Sequence, residues 1–228
     1  MRENIDLNQY LNPAEFIDSN DEAVKAYAYQ VTKGLKYDTE KAVELFYAVR
    51  DDFKFDLNHI DLHPSKLKAS ALVKRGIGTD IEKSTLLAAT ARAVGIPSRV
   101  SFSNLRSNLT SEQLGSILHS DLLVFHSYTE LWMGNHWVKL SPAFNQEACD
   151  YLGLPPLDFG IPEQKVFEKH HKHRRRYLKY VHEYGSFADL PYDLYVSELR
   201  KYYPHLFKMV DAASKPFKID LEFLEGLV

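Results

Sequence analysis

A histidine, a tyrosine and a glutamate alternate along one β-rich run of this 228-residue chain. The run, residues 122–133, ends at a Gly-Asn turn signal, and it places His126, Tyr128 and Glu130 at every second position. Because successive side chains of a strand point to opposite faces, these three point to the same face. An imidazole in such a setting can carry a proton to or from a substrate near neutral pH.

A second chemical candidate is a carboxylate at the start of a predicted helix. Gly78 breaks the preceding structure, and Thr79 or Asp80 then caps a segment with a broad apolar face that ends at Gly95. The helix dipole and the first-turn amides stabilise a negative charge there by about 0.3–1 kcal/mol. We therefore expect Asp80 to be ionised at pH 7. Glu82 lies in the same turn, where it either faces the same pocket or only matches the helix dipole.

A helix and an antiparallel hairpin are needed to bring these residues together. Periodicity and turn signals predict helices at 38–49, 80–94, 163–184 and 192–203, a strand at 98–102, and a hairpin of residues 122–133 and 136–140. This order predicts an α+β fold, with an antiparallel sheet packed on the central helix 80–94. We expect a core domain over residues 1–160, which includes an N-terminal arm, and a C-terminal helical extension over 161–228 that packs on it.

The order of these pieces resembles the transglutaminase-like superfamily, whose fold is similar to the papain-type cysteine protease core. The helix runs into an R-A-x-G-I-P-x-R element at residues 92–99, the histidine strand follows, and W-V-x-x-x-P-x-F-N lies at residues 137–145. The resemblance covers about residues 40–160. The stretch CDYLGLPPLDFG, residues 149–160, resembles the tail of one bacterial subfamily.

The resemblance implies three catalytic positions. In that family a cysteine at the helix N-terminus attacks an acyl group, a strand histidine acts as its base, and an acid orients the histidine. These positions correspond to Asp80, His126 and Ser141 here, so only the histidine matches. Asp80 replaces the nucleophilic cysteine, and Ser141 replaces the acid.

Four further side chains are candidates for the same site. Tyr128 is a candidate for positioning the imidazole or the substrate, and Ser141 is the alternative for that role. Glu82, Glu130 and Trp137 are candidates for contacting the substrate.

An aspartate in place of the cysteine changes the expected chemistry. An ionised Asp80 favours His126 as imidazolium, and a carboxylate attacks amides much less well than a thiolate. Ordinary cysteine-type transamidation or proteolysis is therefore not expected. Cys149 follows the hairpin in a predicted loop without a helix start, so we interpret it as a structural cysteine and not as a displaced nucleophile.

Three interpretations of the site remain open at this stage. In the first, Asp80 only caps its helix, and the fold is a catalytically inactive binding or scaffold module. In the second, Asp80 is the base or nucleophile and His126 is the proton shuttle or electrostatic partner. The pair then transfers a proton to, or hydrolyses, a small-molecule or acyl substrate other than an amide. In the third, Asp80, Glu82, His126 and His136 hold a metal ion. We take the second as the leading hypothesis, with no metal and no cofactor, and keep the first as its alternative.

Composition and charge limit the partners. A net charge of −3 gives no electrostatic case for nucleic acid or an anionic membrane, and no run approaches the ~20 apolar residues of a membrane span. One cysteine excludes an intramolecular disulfide, and the N-terminus has no apolar signal-peptide core, so we expect a reducing, cytoplasmic location. The basic run Lys169–Arg176 is either a solvated helix face or a site for phosphate, a CoA-type substrate or an acidic protein partner.

Overall fold

The structure, a computed structural model, describes residues 6–56, 59–107, 118–152, 155–162, 178–208 and 218–220. The described helices are α1 (Glu22–Val31), α2 (Asp38–Asp52), α3 (Ala69–Arg75), α4 (Asp80–Ala93), α5 (Gln146–Leu152), α6 (Tyr192–Tyr202) and α7 (Pro204–Lys208). The described strands are β1 (Lys54–Phe55), β2 (His59–Asp61), β3 (Ile77–Gly78), β4 (Ser98–Ser107), β5 (Leu122–Met133), β6 (His136–Leu140), β7 (Leu178–Phe187) and β8 (Lys218–Asp220).

Four of these strands form one antiparallel sheet in the order β6-β5-β4-β7. The β5–β6 hairpin turns at Gly134 and Asn135, whose φ angles of 56° and 65° suit a tight two-residue turn. The hairpin prediction is thereby confirmed. In addition, β1 pairs with β3 in parallel, and β2 pairs with β8 in antiparallel orientation.

Helix α4 is the centre of the core. Its apolar side chains, among them Leu86 and Leu87, are fully buried between α1, α2 and α3 on one side and β5 on the other. The Ser84 carbonyl accepts a hydrogen bond from the Thr129 hydroxyl at 2.8 Å, which ties the helix to β5. The predicted α+β fold, with an antiparallel sheet packed on this helix, is confirmed.

The N-terminal arm is held against the core by two charged side chains. Asp189, which follows β7, accepts hydrogen bonds from the backbone amides of Phe16 and Ile17. Arg92 of α4 donates to the Asn12 carbonyl at 2.6 Å. The chain before α1 is therefore fixed at one end of α4.

Two local predictions are wrong. Residues 178–184, predicted as the end of a helix, belong to strand β7, because pairing with β4 outweighs their helical propensity. Cys149, predicted in a loop, lies in α5. The rest of that predicted helix, residues 163–177, lies outside the described residues, and so does the basic run Lys169–Arg176.

The division into a core and an extension at residue 160 stays a prediction. Strand β7, which comes after that boundary, lies in the same sheet as β4. Among the described segments, no helix is both long and apolar enough to cross a membrane.

Lys83, in the first turn of α4, is fully buried. Its ammonium group donates hydrogen bonds to the carbonyls of Arg50, at 2.9 Å, and Phe53, at 2.8 Å, at the end of α2. Burial lowers the pKa of this amine to about 7. Lys83 therefore joins α2 to the start of the helix that carries Asp80. Its amine loses its proton at a lower pH than an ordinary lysine does.

This buried amine predicts that the fold gains stability as pH rises from 7 to about 8.5, above which the buried Cys149 thiol, with its raised pKa, begins to oppose the gain. Over that window the folded state has lost a proton that the unfolded lysine still holds, since an unperturbed lysine has a pKa of about 10.4. The free energy of unfolding should rise by up to about 1.4 kcal/mol per pH unit. Urea titrations at about pH 7, 7.5 and 8 measure it, below the pH at which an unfolded cysteine ionises.

Lys83→Met should lose this slope, and the exposed Lys36→Met should keep it. If wild type and Lys83→Met respond to pH alike, Lys83 is not the titrating group.

Candidate active site

Asp80 and His126 are in direct contact. Asp80 is the first residue of α4, and its Oδ2 lies 2.8 Å from Nδ1 of His126 on β5. The same oxygen accepts a hydrogen bond from the Ser127 amide at 3.0 Å. Strand β6 pairs only with residues 129–133 of β5. The backbone amide of Ser127, earlier on the same edge of β5, therefore has no β6 partner and donates to Asp80 of α4 instead.

The surroundings of Asp80 keep its carboxyl group charged. Burial raises its pKa, but the hydrogen bond and charge of His126, together with the Ser127 and Ile81 amides, lower it by more. The net pKa lies below the ordinary value. An ionised carboxylate accepts a proton but does not donate one, so the proton between the two groups is on Nδ1 of His126.

The pair is mostly enclosed. The side chain of His126 is 6 % exposed and that of Asp80 is 15 % exposed. The Tyr128 ring stands edge-on to the imidazole, with centroids 4.9 Å apart. Low exposure strengthens the electrostatic attraction within the pair and leaves the carboxylate side as its more accessible edge.

Glu82 and Asp80 contact different partners, although both are in the first turn of α4. It is 5 % exposed, it accepts from the Thr79 amide at 2.8 Å, and it forms an ion pair with Arg75. Burial raises the pKa of Glu82, and Arg75 and Thr79 oppose that rise. A Cβ on Gly78 would lie 3.0 Å from the carboxylate and 2.8 Å from Leu72, so any larger residue there would have to displace one of these buried side chains. These contacts cap the helix and fasten it to α3.

Glu130 and Trp137 meet at Arg99, not at the imidazole. Glu130 accepts from Arg99 Nε at 2.6 Å and from the Ser186 hydroxyl at 3.1 Å. The Arg99 guanidinium lies 4.1 Å from the centroid of the Trp137 ring. These two side chains and Arg99 form a cluster farther along the sheet, and a role in substrate binding stays a prediction.

Tyr128 and Ser141 have contrasting surroundings. The Tyr128 hydroxyl lies 3.0 Å from that of Tyr180 on β7, and the Lys139 ammonium group stands 4.0 Å from the centroid of its ring. Ser141, directly after β6, is 7 % exposed, and its hydroxyl has no hydrogen-bond partner in the part of the chain that the structure describes. Their catalytic roles stay predictions.

His136 and Cys149 lie apart from this site. His136 is exposed at the β5–β6 turn, where its ring contacts the Gly134 carbonyl. Among the described residues, no cluster of three or more histidine, cysteine, aspartate or glutamate side chains is placed to hold a metal ion. Cys149 is 1 % exposed, and burial raises the pKa of its thiol to about 11, so it is a poor nucleophile.

Sequence reasoning missed the second donor to Asp80, the backbone amide of Ser127. A backbone donor has no side-chain signature, so only the register of β5 and β6 could have indicated it. It also missed Lys83, because a lysine in a first helical turn is typical of a solvated surface.

Residues 25–142 match the transglutaminase-like superfamily, and the chain belongs to that superfamily. No curated protein matches the chain. Two solved structures are similar over part of their length. One is a candidate cysteine protease from Cytophaga hutchinsonii, with 16% identity and a TM-score of 0.47, over 61% of this chain and 43% of that one. The other is a candidate protease from Parabacteroides distasonis, with 17% identity and a TM-score of 0.38, over 59% of this chain and 25% of that one.

The chain thus spans less than half of either protein. The family assignment depends on the sequence match, and it defines the class: a transglutaminase-like domain in which a carboxylate faces the strand histidine.

Proposed function

We propose that this protein is an atypical transglutaminase-like enzyme, which uses the Asp80–His126 pair for proton transfer or hydrolysis on a small-molecule or acyl substrate. The observation that carries the proposal is the 2.8 Å contact between Asp80 Oδ2 and His126 Nδ1. The acyl substrate class comes from the family, and the absence of a cysteine at this position argues against thiol chemistry.

The contacts of Asp80 favour an orienting role over a nucleophilic one. Oδ2 already accepts from His126 and from the Ser127 amide, and an oxygen with two donors has little basicity left for attack. A carboxylate on Nδ1 fixes the ring and its tautomer, and it stabilises the imidazolium that forms when the ring takes up a proton. Proton exchange with a substrate or water would then run through Nε2 of His126, with the imidazole as general base and then as general acid.

The alternative is a catalytically inactive binding or scaffold module. The enclosure of the pair favours it, since a 6 % exposed imidazole offers a substrate little surface. In that case the Asp80–His126 contact only fastens α4 to β5, and the fold is retained for binding.

The two functions differ in what His126→Ala does. We expect a panel of short acyl esters, thioesters and lactones to contain a compound that the full-length wild type turns over. Loss of general acid–base catalysis should then reduce kcat/KM by a factor on the order of 10²–10⁴ in His126→Ala and in Asp80→Asn. Circular dichroism at the assay temperature verifies that each variant is folded.

Two matched variants control for the substitutions themselves. Asp38 is the first residue of α2, as Asp80 is of α4, and His182 is an exposed histidine on β7. Asp38→Asn and His182→Ala should retain wild-type turnover. Turnover that persists in His126→Ala would refute the proposal. If no compound reacts and both site variants are more stable than wild type, the protein is the inactive module.

A further inference from the structure

We infer that Ser103 is the nucleophile of this site, so that Asp80, His126 and Ser103 form a serine–histidine–aspartate triad. This inference extends the proposed function, because it needs an Asp80–His126 pair that works. It makes the reaction an acyl transfer through a serine ester, and it makes the substrate a small acyl ester or thioester.

The register of the sheet puts Ser103 opposite His126 on the neighbouring strand, as a directly paired residue of the β4–β5 ladder. Directly opposite residues project from the same face, with Cβ atoms about 4.5–5.5 Å apart. Asp80 approaches His126 from the other edge of β5, where the Ser127 amide points at it. The imidazole therefore has a carboxylate on one side and a serine on the neighbouring strand on the other.

Within the described residues, the hydroxyl of Ser103 makes no hydrogen bond that would stabilise the fold. Ser103 is 1 % exposed, and within the described segments its Oγ has no hydrogen-bond partner. An unsatisfied buried hydroxyl costs about 1–3 kcal/mol, whereas an alanine there would cost nothing of this kind. The hydroxyls of Ser127 and Thr129, by contrast, bond to Ser84 of α4. Ser101, opposite Tyr128, is also buried, and its hydroxyl is likewise without a partner in the described segments, so the position opposite His126 is what distinguishes Ser103. To act as a nucleophile, the Ser103 hydroxyl must turn its proton towards the imidazole.

The backbone around Ser103 and His126 is distorted where the two meet. The register of β4 shifts beside Ser103 on both of its ladders, with β5 and with β7. Phe125, which precedes His126, has a φ of 65°, a conformation that a bulky residue adopts only under constraint. Asn104, which follows Ser103, supplies that constraint, because its Oδ1 accepts from the Phe125 amide at 2.9 Å. Bulges of this kind re-aim side chains next to active sites.

The chemistry balances with the groups present. Ser103 Oγ attacks the acyl carbonyl, and its proton passes to Nε2 of His126 while Asp80 stabilises the imidazolium through Nδ1. The bond to the leaving group breaks, and the leaving group takes the proton from Nε2. Water then attacks the serine ester by the same route, which releases the acid and restores the serine. Because Ser103 is buried, we expect the acyl group to be small, such as acetyl.

The test uses the full-length protein and p-nitrophenyl acetate. We expect a rapid burst of p-nitrophenol followed by slower turnover, and peptide mass spectrometry of acid-quenched protein should find the acetyl group on Ser103. Ser103→Ala should lose the burst and at least about 10²-fold in turnover, the scale on which triad members act. Ser103→Cys should restore acyl-enzyme formation and make it sensitive to iodoacetamide. Ser101→Ala is the matched control, since Ser101 lies two residues earlier on β4, is also buried, and should react like wild type.

The inference and the proposed function can fail separately. Acetylation of Ser103 that requires His126 supports both. If turnover requires His126 but Ser103→Ala retains it, the pair activates water directly, and the Ser103 inference is overturned while the proposed function stands. If wild type shows no acetyl-enzyme, the inference is overturned, and the proposed function then depends on the other compounds of the panel.

Discussion

Asp80→Cys is expected to create a reactive thiolate. Its sulfur would sit at the N-terminus of α4, beside His126 Nδ1 and the Ser127 amide, all of which favour a negative charge. Its thiol pKa should therefore fall into the range of about 3.5–7.5 seen for activated cysteines, against about 8.5 for an ordinary one. The pH profile of iodoacetamide alkylation measures this midpoint, and peptide mapping identifies the cysteine.

The chain offers a clean background and matched controls for this experiment. Its native thiol, Cys149, is buried, with a pKa raised to about 11. Asp38→Cys puts a thiol at the same position of α2, where the helix dipole is present but the neighbour is Lys41 and not an imidazole. This thiol should titrate closer to the ordinary value. Asp80→Cys combined with His126→Ala should move the midpoint back up. A midpoint at or above that of Asp38→Cys would mean that the imidazole is not placed to activate a nucleophile.

Glu82→Gln is expected to cost about 2–4 kcal/mol of folding free energy. The substitution leaves Arg75 without its counter-ion, and the single carbonyl oxygen of glutamine cannot accept from both Arg75 and the Thr79 amide. Removal of one partner of a buried ion pair costs about 3–5 kcal/mol, and because Arg75 is 35 % exposed the loss should be somewhat smaller. Urea unfolding measures it.

Glu40→Gln is the matched control for that stability effect. Glu40 holds the third position of α2, as Glu82 does in α4, but it is exposed, and its contact with the Tyr37 amide is long, at 3.4 Å. This change should stay within about 0.5 kcal/mol of wild type. If the two substitutions lower the free energy of unfolding equally, the burial and ion pair of Glu82 do not contribute to stability.

The positions of the main elements could be predicted because their signals are local. The Gly134–Asn135 turn between two β-rich runs indicates a hairpin, and Gly95 with Pro97 indicates where α4 stops. The site histidine followed from alternation along β5. Asp80 was placed opposite it by the order of elements in the family, and the 2.8 Å contact agrees with that placement.

The role of each acidic residue could not be predicted, because the same local pattern occurs twice. Helix α2 begins D-T-E-K and α4 begins D-I-E-K. In α2 the first aspartate is exposed and pairs with Lys41, whereas in α4 it meets an imidazole and the lysine is fully buried. What separates the two is the place of the helix in the core, which depends on long-range packing.

Strand β7 shows the same limit. Residues 178–184 contain leucine, lysine and glutamate, which favour a helix, but the aromatic rings at positions 180, 182 and 184 also fit one face of a strand. Pairing with β4, about eighty residues earlier in the chain, decides between the two. No local pattern contains that information.

The imidazole NMR signals of His126 test the central claim most directly. In protein labelled with ¹⁵N-histidine, a proton held between Nδ1 and an ionised Asp80 should give a slowly exchanging resonance far downfield, absent from His126→Gln. We predict that this resonance is present in wild type and in Asp38→Asn, and that it is lost or moves upfield in Asp80→Asn. The account of the site would be contradicted if Nδ1 of His126 carried no proton, or if the His126 signals were unchanged in Asp80→Asn.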